Sequence, residues 1–348
     1  MADINIKDIA RLSGVGIATV SRVLNQTGAV SEKTRKRVMD VIEQYHYIPN
    51  SSARNLKLTR SKNIGVFVKY MSNPFFYMML EVIEEELTAQ GYSLLVQDIG
   101  ENQNEMDVAI SEAMQRNLCG VILMGGSFDS YTSEKFRQLE IPCVLLTVSA
   151  PGETDAALYS SVTIDDEKEG YRAVRYLIEQ GHRKIGFLYR DAGGRVTPNI
   201  LRYQGYVRAL TESGLEVEER LIATNARVSG LGYRDGFRTM KLLMQLNPDM
   251  TAVFAFSDVL AIGAAKAVFA MGKRIPEDIS VVGFDGIEMT EFYNPALDTM
   301  CQPAAEMALA AVSMLRGMMN GEGAGHRVFD ASVLKRGSVR RLEQEQKI

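Results

Sequence analysis

Several polar and aromatic side chains directly follow apolar runs of the sequence, where buried strands are expected to end. Phe75 and Phe76 offer flat apolar faces for a sugar ring, although an aromatic pair is as often part of a core. Arg202 is either a solvated charge or a clamp with several fixed donors for neighbouring hydroxyl groups. Asp285 follows the apolar segment 281–284, so it caps the next segment or accepts hydrogen bonds from two hydroxyls. Together these residue types suit a neutral polyol.

A second set of residues, near the N-terminus, has the chemistry of nucleic-acid recognition. The segment 17–24 predicts a short helix with one apolar face. The side chains that point away from this face are those of Ile17, Ala18, Thr19, Ser21 and Arg22. Arg22 can donate two hydrogen bonds to a guanine, and Ala18 is small enough to let the helix lie close to the bases. Contacts with phosphates, which position a protein without specifying sequence, can come from Thr19, Asn25 and Thr34.

No catalytic or metal-binding pattern accompanies these residues. The glycine-rich segment 230–236 resembles a dinucleotide loop, but its last glycine comes one residue late and no suitable strand precedes it closely. The three histidines, His46, His182 and His326, lie far apart without the spacing of metal ligands. His182 is expected to cap a turn between a helix and a strand. We therefore expect no enzyme, no metal and no cofactor.

The elements that must position these residues differ between the two ends of the chain. The first 62 residues predict three short helices, with an N-cap at Asn5, a break at Gly14 and a second N-cap at Ser31. Two short helices joined by a tight turn and braced by a third describe a helix-turn-helix, whose second helix enters the major groove of DNA. The alternative is an ordinary three-helix domain in which Arg22 is a solvated charge.

Charge divides the chain at the same place. Residues 1–62 hold eleven Lys and Arg against five Asp and Glu, a net charge of +6, whereas the whole 348-residue chain carries −4. The remainder is therefore strongly acidic. A basic head on an acidic body indicates that the head alone meets a polyanion.

From Asn63 onwards, short apolar runs alternate with amphipathic helical segments, which predicts parallel sheets with helices on both faces. Roughly 280 residues of this pattern are too many for one open sheet, so we expect two α/β lobes with a cleft between them, dividing first near Ile164. The predicted strands are 64–70, 93–98, 120–125, 143–148, 184–189, 251–256 and 280–284. The predicted helices include 77–90, 167–180, 199–213 and 259–271.

Composition sets further bounds. The chain is 46% hydrophobic and 24% charged, the balance of a globular protein. The isolated cysteines Cys119, Cys143 and Cys301 argue against a disulfide framework. No secretory signal is visible, and the most apolar stretch, 252–271, contains charged residues such as Asp258. We expect a cytoplasmic protein without membrane contact.

Motifs in both parts of the chain resemble those of the LacI/GalR family of bacterial repressors. The head carries G-V-x-x-A-T-V-S-R-V-L-N over 14–25, V-S-x-x-T-R over 30–35 and Y-I-P-N-x-x-A-R-x-L over 47–56. The body carries S-N-P-F-F over 72–76, G-H-x-x-I-G over 181–186, R-x-x-G-Y over 202–206 and S-V-V-G-F-D over 280–285. The likeness extends from about residue 4 to about residue 342.

The resemblance implies an α/β protein with a small all-α helix-turn-helix head and a two-lobed, periplasmic-binding-protein-like body with parallel sheets. The implied domains are a DNA-binding domain (1–49), a hinge helix or linker (50–62) and an effector-binding and dimerisation domain (63–342). The implied first lobe is about 63–164 and 291–318, and the implied second lobe is about 165–290 and 319–342.

The resemblance also implies partners and roles. A homodimer would read a pseudo-palindromic operator in double-stranded DNA, with half-sites about one helical turn apart. The linker would fold into a hinge helix on DNA, with Leu56 as a wedge in the minor groove. The motifs add Tyr47, Asn50 and Ala53 to the DNA-binding set. The resemblance favours Asp285 as an acceptor for effector hydroxyls, supported by Asn73, Ser257 and Gln302.

Some positions depart from the family pattern. Gly16 stands where serine is usual, which removes a phosphate-binding hydroxyl. Thr147, Leu231 and Met124 stand where relatives often carry ligand-contacting residues, so a non-sugar effector remains open.

The function that the resemblance implies is a transcriptional regulator, a repressor whose operator affinity is controlled by a small sugar-like effector between the lobes. Effector binding would change the angle between the lobes and thereby the separation of the two heads. An activator, or a regulator that needs a co-repressor, would have the same residues. A solute-binding protein for transport would instead need a signal peptide and no basic head.

Overall fold

The computed structural model describes residues 6–25, 30–44, 61–100, 102–189, 196–224 and 232–343. The chain divides into two compact units, a head within residues 1–60 and a body within residues 61–348. No helix in these ranges is long and apolar enough to span a membrane.

The described residues of the head form three helices: α1 (Ile6–Leu12), α2 (Ile17–Asn25) and α3 (Glu32–Gln44). They pack on a small apolar core of Ile9, Ala10, Val20, Val23 and Val38. Gly14, with a φ of 62°, makes the turn between α1 and α2, in the left-handed region that glycine adopts without strain. The hydroxyl of Ser31 accepts a hydrogen bond of 3.3 Å from the backbone N–H of Thr34 and so caps α3. The predicted N-cap at Asn5 lies outside the described residues.

Within the described part of the body, the strands form two six-stranded sheets. The first consists of β1 (Asn63–Lys69), β2 (Ser93–Ile99), β3 (Leu118–Met124), β4 (Cys143–Leu146), β5 (Ser160–Ile164) and β11 (His326–Phe329). The second consists of β6 (Ile185–Tyr189), β7 (Ile222–Thr224), β8 (Ala252–Ala255), β9 (Ser280–Asp285), β10 (Asp298–Cys301) and β12 (Ser332–Leu334). The strand orders are β11-β5-β4-β3-β1-β2 and β12-β10-β9-β8-β6-β7, and only β12 pairs with its neighbour in the antiparallel sense.

Helices cover these sheets and define two lobes. The first lobe combines the first sheet with α4 (Pro74–Ala89), α5 (Glu105–Arg116), α6 (Ser133–Leu139) and α12 (Ala304–Met319). The second combines the second sheet with α7 (Asp166–Glu179), α8 (Pro198–Glu212), α9 (Tyr233–Leu246), α10 (Asp258–Ala270) and α11 (Met289–Phe292). Gly205 lets α8 cross α7 closely, because a Cβ there would overlap the carbonyl oxygen of Glu167.

The chain crosses between the lobes after β5, at Gln302 between β10 and α12, and between β11 and β12. The predicted bounds of two lobe segments are therefore wrong in part, although α12 lies in the first lobe and β12 in the second sheet as predicted. The segment 291–318 was expected in the first lobe, but its strand β10 pairs with β9 of the second sheet. The segment 319–342 was expected in the second lobe, but its strand β11 pairs with β5 of the first sheet.

Candidate functional site

A cavity lies between the two lobes, at the carboxyl ends of their parallel strands, which is where open α/β sheets bind ligands. The cavity has a volume of about 120 Å³. The first lobe contributes Lys69, Tyr70, Ser72, Asn73, Phe75, Phe76, Glu105, Gly125, Gly126, Ser127 and Thr147. The second lobe and the crossing contribute Thr197, Pro198, Asn199, Arg202, Phe256, Ser257, Asp285 and Gln302. The structure thus brings all seven predicted effector residues into one cavity.

Asp285 ends strand β9 and receives hydrogen bonds from both sides of the cavity. Its Oδ1 accepts from Nε2 of Gln302 at 2.8 Å, and its Oδ2 accepts from Nδ2 of Asn73 at 3.0 Å. Nη1 of Arg202 lies 3.7 Å from Oδ1. The φ of Asp285 is 120°, which is strained for a residue with a side chain and is typical of functional positions. Burial raises the pKa of Asp285, and the charge of Arg202 opposes that rise.

Asn73 explains why the segment S-N-P-F-F reaches the cavity. Its Oδ1 accepts a hydrogen bond of 3.1 Å from the backbone N–H of Phe75, and Pro74 follows at the first position of α4. The helix start delivers Phe75 and Phe76 to the cavity wall, with 2% and 9% of their surfaces exposed. The two alternatives for these rings are therefore compatible, because both belong to the core and both line the cavity.

Arg202 is buried, so the alternative of a solvated surface arginine is wrong. Its Nε donates to Oδ1 of Asp166 at 2.8 Å, and its Nη1 donates to the carbonyl oxygen of Phe256 at 2.6 Å. The guanidinium carbon lies 3.6 Å from the centre of the Phe284 ring, a cation–π contact. Burial raises the pKa of Asp166, and the guanidinium of Arg202 opposes the rise. The arginine is thus fixed in place before any ligand binds.

Asp258 is a buried residue to which the sequence analysis assigned no role. Ser257 caps α10, and Asp258 follows at its first position with no exposed surface. Its carboxylate accepts hydrogen bonds from the backbone N–H groups of Gly286 and Ile287 at 2.7 and 2.9 Å and from the Thr299 hydroxyl at 2.7 Å. Burial and the nearby Asp285 raise its pKa. Asp258 therefore fixes the loop that directly follows Asp285. The available signal was a charge inside the most apolar stretch of the chain.

A buried ion pair in the wall of the first lobe was also missed. Nζ of Lys69 lies 3.1 Å from Oε1 of Glu105 and donates to the carbonyl oxygens of Gly100 and Gln103 at 3.0 and 2.7 Å. Oε2 of Glu105 accepts from the Ser130 hydroxyl at 2.7 Å. Both charged residues line the cavity with less than 5% of their surfaces exposed. The available signal was a lysine that ends an otherwise apolar strand.

Other predicted positions fall in different surroundings. Thr147 lines the cavity with a φ of 69°, whereas Met124 is buried in the core and Leu231 lies outside the described residues. His182 does more than cap a turn, because its ring contacts the Thr251 hydroxyl at 3.0 Å and the carbonyl oxygen of Arg340 at 3.1 Å. Burial lowers the pKa of His182 to about 4. The described residues contain no cluster of three or more side chains suited to hold a metal.

The head presents part of the predicted DNA-binding set. Ile17 and Arg22 are exposed on α2, and Thr19 and Ser21 are partly exposed. Thr34, in the first turn of α3, accepts a hydrogen bond of 2.9 Å from the Ser31 hydroxyl. The side chains of Ala18 and Asn25, and the whole of Tyr47, Asn50, Ala53 and Leu56, lie outside what the structure describes.

Comparisons with family models match both parts of the chain. Residues 5–50 match the model described as bacterial regulatory proteins, lacI family. Residues 174–339 match the model described as a periplasmic binding protein-like domain. These matches confirm the predicted fold class of a helix-turn-helix head on a two-lobed body.

Similar proteins cover nearly the whole chain. The HTH-type transcriptional regulator MalR of Clostridium butyricum is 38% identical over 341 residues, which cover 96% of this chain and 98% of that protein. The HTH-type transcriptional repressor CytR of Escherichia coli (strain K12) is 35% identical over 342 residues, which cover 97% of this chain and 96% of that protein. A solved complex of the transcriptional regulator CelR with cellobiose has 26% identity and a TM-score of 0.70. The match covers 96% of this chain and 99% of that chain. The chain shares its fold with the lac repressor, whose dimer was solved bound to operator and the anti-inducer ONPF. The match has 24% identity and a TM-score of 0.69, and it covers 97% of this chain and 99% of that chain.

Proposed function

Because the chain belongs to the LacI family of bacterial regulatory proteins and is a DNA-binding transcriptional regulator, we propose that a small sugar-like effector binds between its lobes and controls its affinity for operator DNA. The family relationship supports repression as the default action, since the relative CytR is named as a repressor. Two copies of the chain would read the two halves of a pseudo-palindromic operator.

The observation that carries this proposal is that the carboxylate of Asp285 accepts hydrogen bonds from two different parts of the body. Its carboxylate is reached by Asn73 from the first lobe and by Gln302 from a crossing between the lobes, with Arg202 nearby. Each carboxylate oxygen has two acceptor sites, so hydroxyl groups of an effector can join or replace these donors. A ligand held there contacts both lobes at once, and its binding energy therefore depends on the angle between them.

The chemistry of the wall supports a sugar-like effector. Phe75 and Phe76 supply apolar faces, while Arg202 and Asp285 supply a fixed donor and a fixed acceptor. Sugar recognition uses this combination of flat apolar surface and directional hydrogen bonds. The related regulator CelR supports the same class of effector, since it was solved in complex with cellobiose.

The effector is proposed to leave the cavity chemically unchanged. The buried carboxylates of Asp166, Asp258 and Glu105 are all held by donors from the protein, an arrangement for fixing geometry rather than for moving protons. As a regulator of transcription, the protein is proposed to act in the cytoplasm, where operator DNA is found.

The experiment begins with an operator selected from random palindromic DNA and a panel of unmodified sugars screened by the rise in melting temperature. A sugar that stabilises the protein and weakens binding to the selected operator at least tenfold supports the proposal. A sugar that stabilises the protein but tightens operator binding indicates a co-repressor. Stabilisation without any change in operator binding contradicts effector control.

Asp285→Asn provides the matched control for this experiment. The asparagine keeps the size of the side chain but changes its charge and replaces one acceptor with a donor. We expect the variant to bind the selected operator as the unmodified protein does and to lose its response to the sugar. A variant that responds normally would place the effector elsewhere.

A further inference from the structure

We propose that Glu105 determines the charge class of the effector, because by neutralising Lys69 it excludes phosphorylated and other anionic sugars from the cavity. This inference rests on the cavity being the effector site. It concerns a pair of residues that the predicted effector set does not include.

The ammonium group of Lys69 is already surrounded by acceptors of the first lobe. An ammonium group has three N–H donors, and three acceptors of the first lobe surround Nζ. These are the carbonyl oxygens of Gly100 at 3.0 Å and Gln103 at 2.7 Å, and Oε1 of Glu105 at 3.1 Å. A lysine that lines a cavity ordinarily binds a phosphate group, but here acceptors of the protein already contact its ammonium group.

Glu105 is itself held firmly in this place. It is the first residue of α5, where the positive end of the helix dipole favours a carboxylate. Its second oxygen accepts a hydrogen bond from the Ser130 hydroxyl. Gly126 leaves the space that it needs, since a Cβ on that glycine would lie 2.8 Å from Oε1 of Glu105. An effector therefore cannot displace this carboxylate from Lys69 by a simple rotation.

The rest of the cavity offers an anion no compensation. Arg202 is matched by Asp166 and lies 3.7 Å from Asp285. Among the residues that the structure describes, the two cations Lys69 and Arg202 lie close to three carboxylates, those of Glu105, Asp166 and Asp285. A phosphate group would lose its hydration and meet a net negative field, whereas an uncharged sugar would meet neither cost.

Replacing Glu105 with glutamine should allow the cavity to bind phosphate groups. Glutamine has the same shape and can keep the contact with Ser130, but it leaves the charge of Lys69 without its carboxylate. We expect Glu105→Gln to bind inorganic phosphate and glucose 6-phosphate at least tenfold more tightly than the unmodified protein. The double variant Lys69→Met/Glu105→Gln restores a neutral wall and should lose this gain.

Isothermal titration at constant ionic strength with inorganic phosphate and glucose 6-phosphate measures these affinities in all three full-length proteins. The two variants share the basic head, so phosphate bound to the head cancels in their comparison. Equal phosphate binding by the single and double variants would overturn the proposal. So would tight phosphate binding in the cavity of the unmodified protein, a result that needs no variant to fold. Failure of every neutral sugar to bind would instead contradict the proposed function. The comparison of the two variants would still test whether Glu105 keeps phosphate away from Lys69.

Discussion

The amide of Asn73 connects the two lobes of the body, because its Nδ2 donates a hydrogen bond of 3.0 Å to Oδ2 of Asp285. The Oδ1 of the same amide accepts from the backbone N–H of Phe75 and begins helix α4. One side chain therefore sets a helix start in the first lobe and satisfies a buried carboxylate of the second. The free protein thus already places a donor where an effector hydroxyl is proposed to bind.

Asn73→Asp tests this connection. Aspartate caps a helix as well as asparagine does, but it removes the donor and sets a second carboxylate against Asp285. We expect the free energy of unfolding at pH 8 to fall by about 2 kcal/mol, the value of a hydrogen bond to a charged group. The raised pKa of the carboxylate pair means that stability should recover as the pH falls and one of the two takes up a proton.

Asn73→Ser is the control for this pH dependence. Serine also caps the helix but is too short to reach Asp285, and it brings no new charge. Urea unfolding between pH 5 and pH 8 should show a loss that shrinks only weakly as the pH falls, because Asp285 loses one donor but meets no second carboxylate. If the aspartate variant shows no stronger pH dependence than the serine variant, the two side chains do not face each other in solution.

Arg202→Met tests the buried network at the second lobe. The methionine fills much of the same space but leaves the carboxylates of Asp166 and Asp285 without their cation. Removing one partner of a buried ion pair costs about 3–5 kcal/mol, and we expect a loss of this size in urea unfolding. Arg208→Met is the matched control, since Arg208 pairs with Glu167 on the surface with 41% of its side chain exposed. That change should cost less than about 1 kcal/mol. Similar small losses for both variants would show that Arg202 is solvated.

Part of the cavity wall could be predicted from the sequence, because one rule relates the order of residues along the chain to their place in the fold. Side chains that follow the strands of a parallel sheet meet at its carboxyl edge, and Asn73, Ser257 and Asp285 were found in this way. Lys69 and Glu105 were missed because each lies at the end of an element, where a charge is ordinarily solvated. Their pairing joins β1 to α5, and no local pattern encodes a contact between separate elements.

The errors in the lobe boundaries have a different physical cause. Strand β10 reads Asp-Thr-Met-Cys and strand β11 reads His-Arg-Val-Phe, and neither has the continuous apolar run that marks a buried parallel strand. β10 is nevertheless buried because Asp298 accepts hydrogen bonds from Tyr176 and from the backbone N–H groups of residues 336–338. Tertiary contacts therefore replace the hydrophobic signal on which the prediction depended.

Arg22→Ala tests the DNA-reading role of α2. If Arg22 contacts a guanine, the variant should lose about 1–3 kcal/mol of binding free energy on the selected operator and relax the preference at one base pair of each half-site. Fluorescence anisotropy with operator and with random DNA measures both effects. Arg11→Ala, which removes the same charge from an exposed arginine on α1, should weaken binding to the two DNAs equally. An equal loss on both DNAs for Arg22→Ala would indicate that it contacts only phosphate.

His182→Asn tests the linkage between burial and pH at the turn between α7 and β6. The imidazole has no exposed surface, and burial lowers its pKa from 6.5 to about 4, so the folded protein holds it neutral while the unfolded chain takes up a proton. Its contribution to stability is therefore complete above pH 6.5 and declines by about 3 kcal/mol as the pH falls to 4. The difference in unfolding free energy between the unmodified protein and the variant, measured with urea at several pH values, should shrink by this amount. His182→Gln should give the same slope even if its stability differs, because neither amide titrates. A difference that stays constant from pH 6.5 to pH 4 would show that the imidazole is protonated in the folded protein.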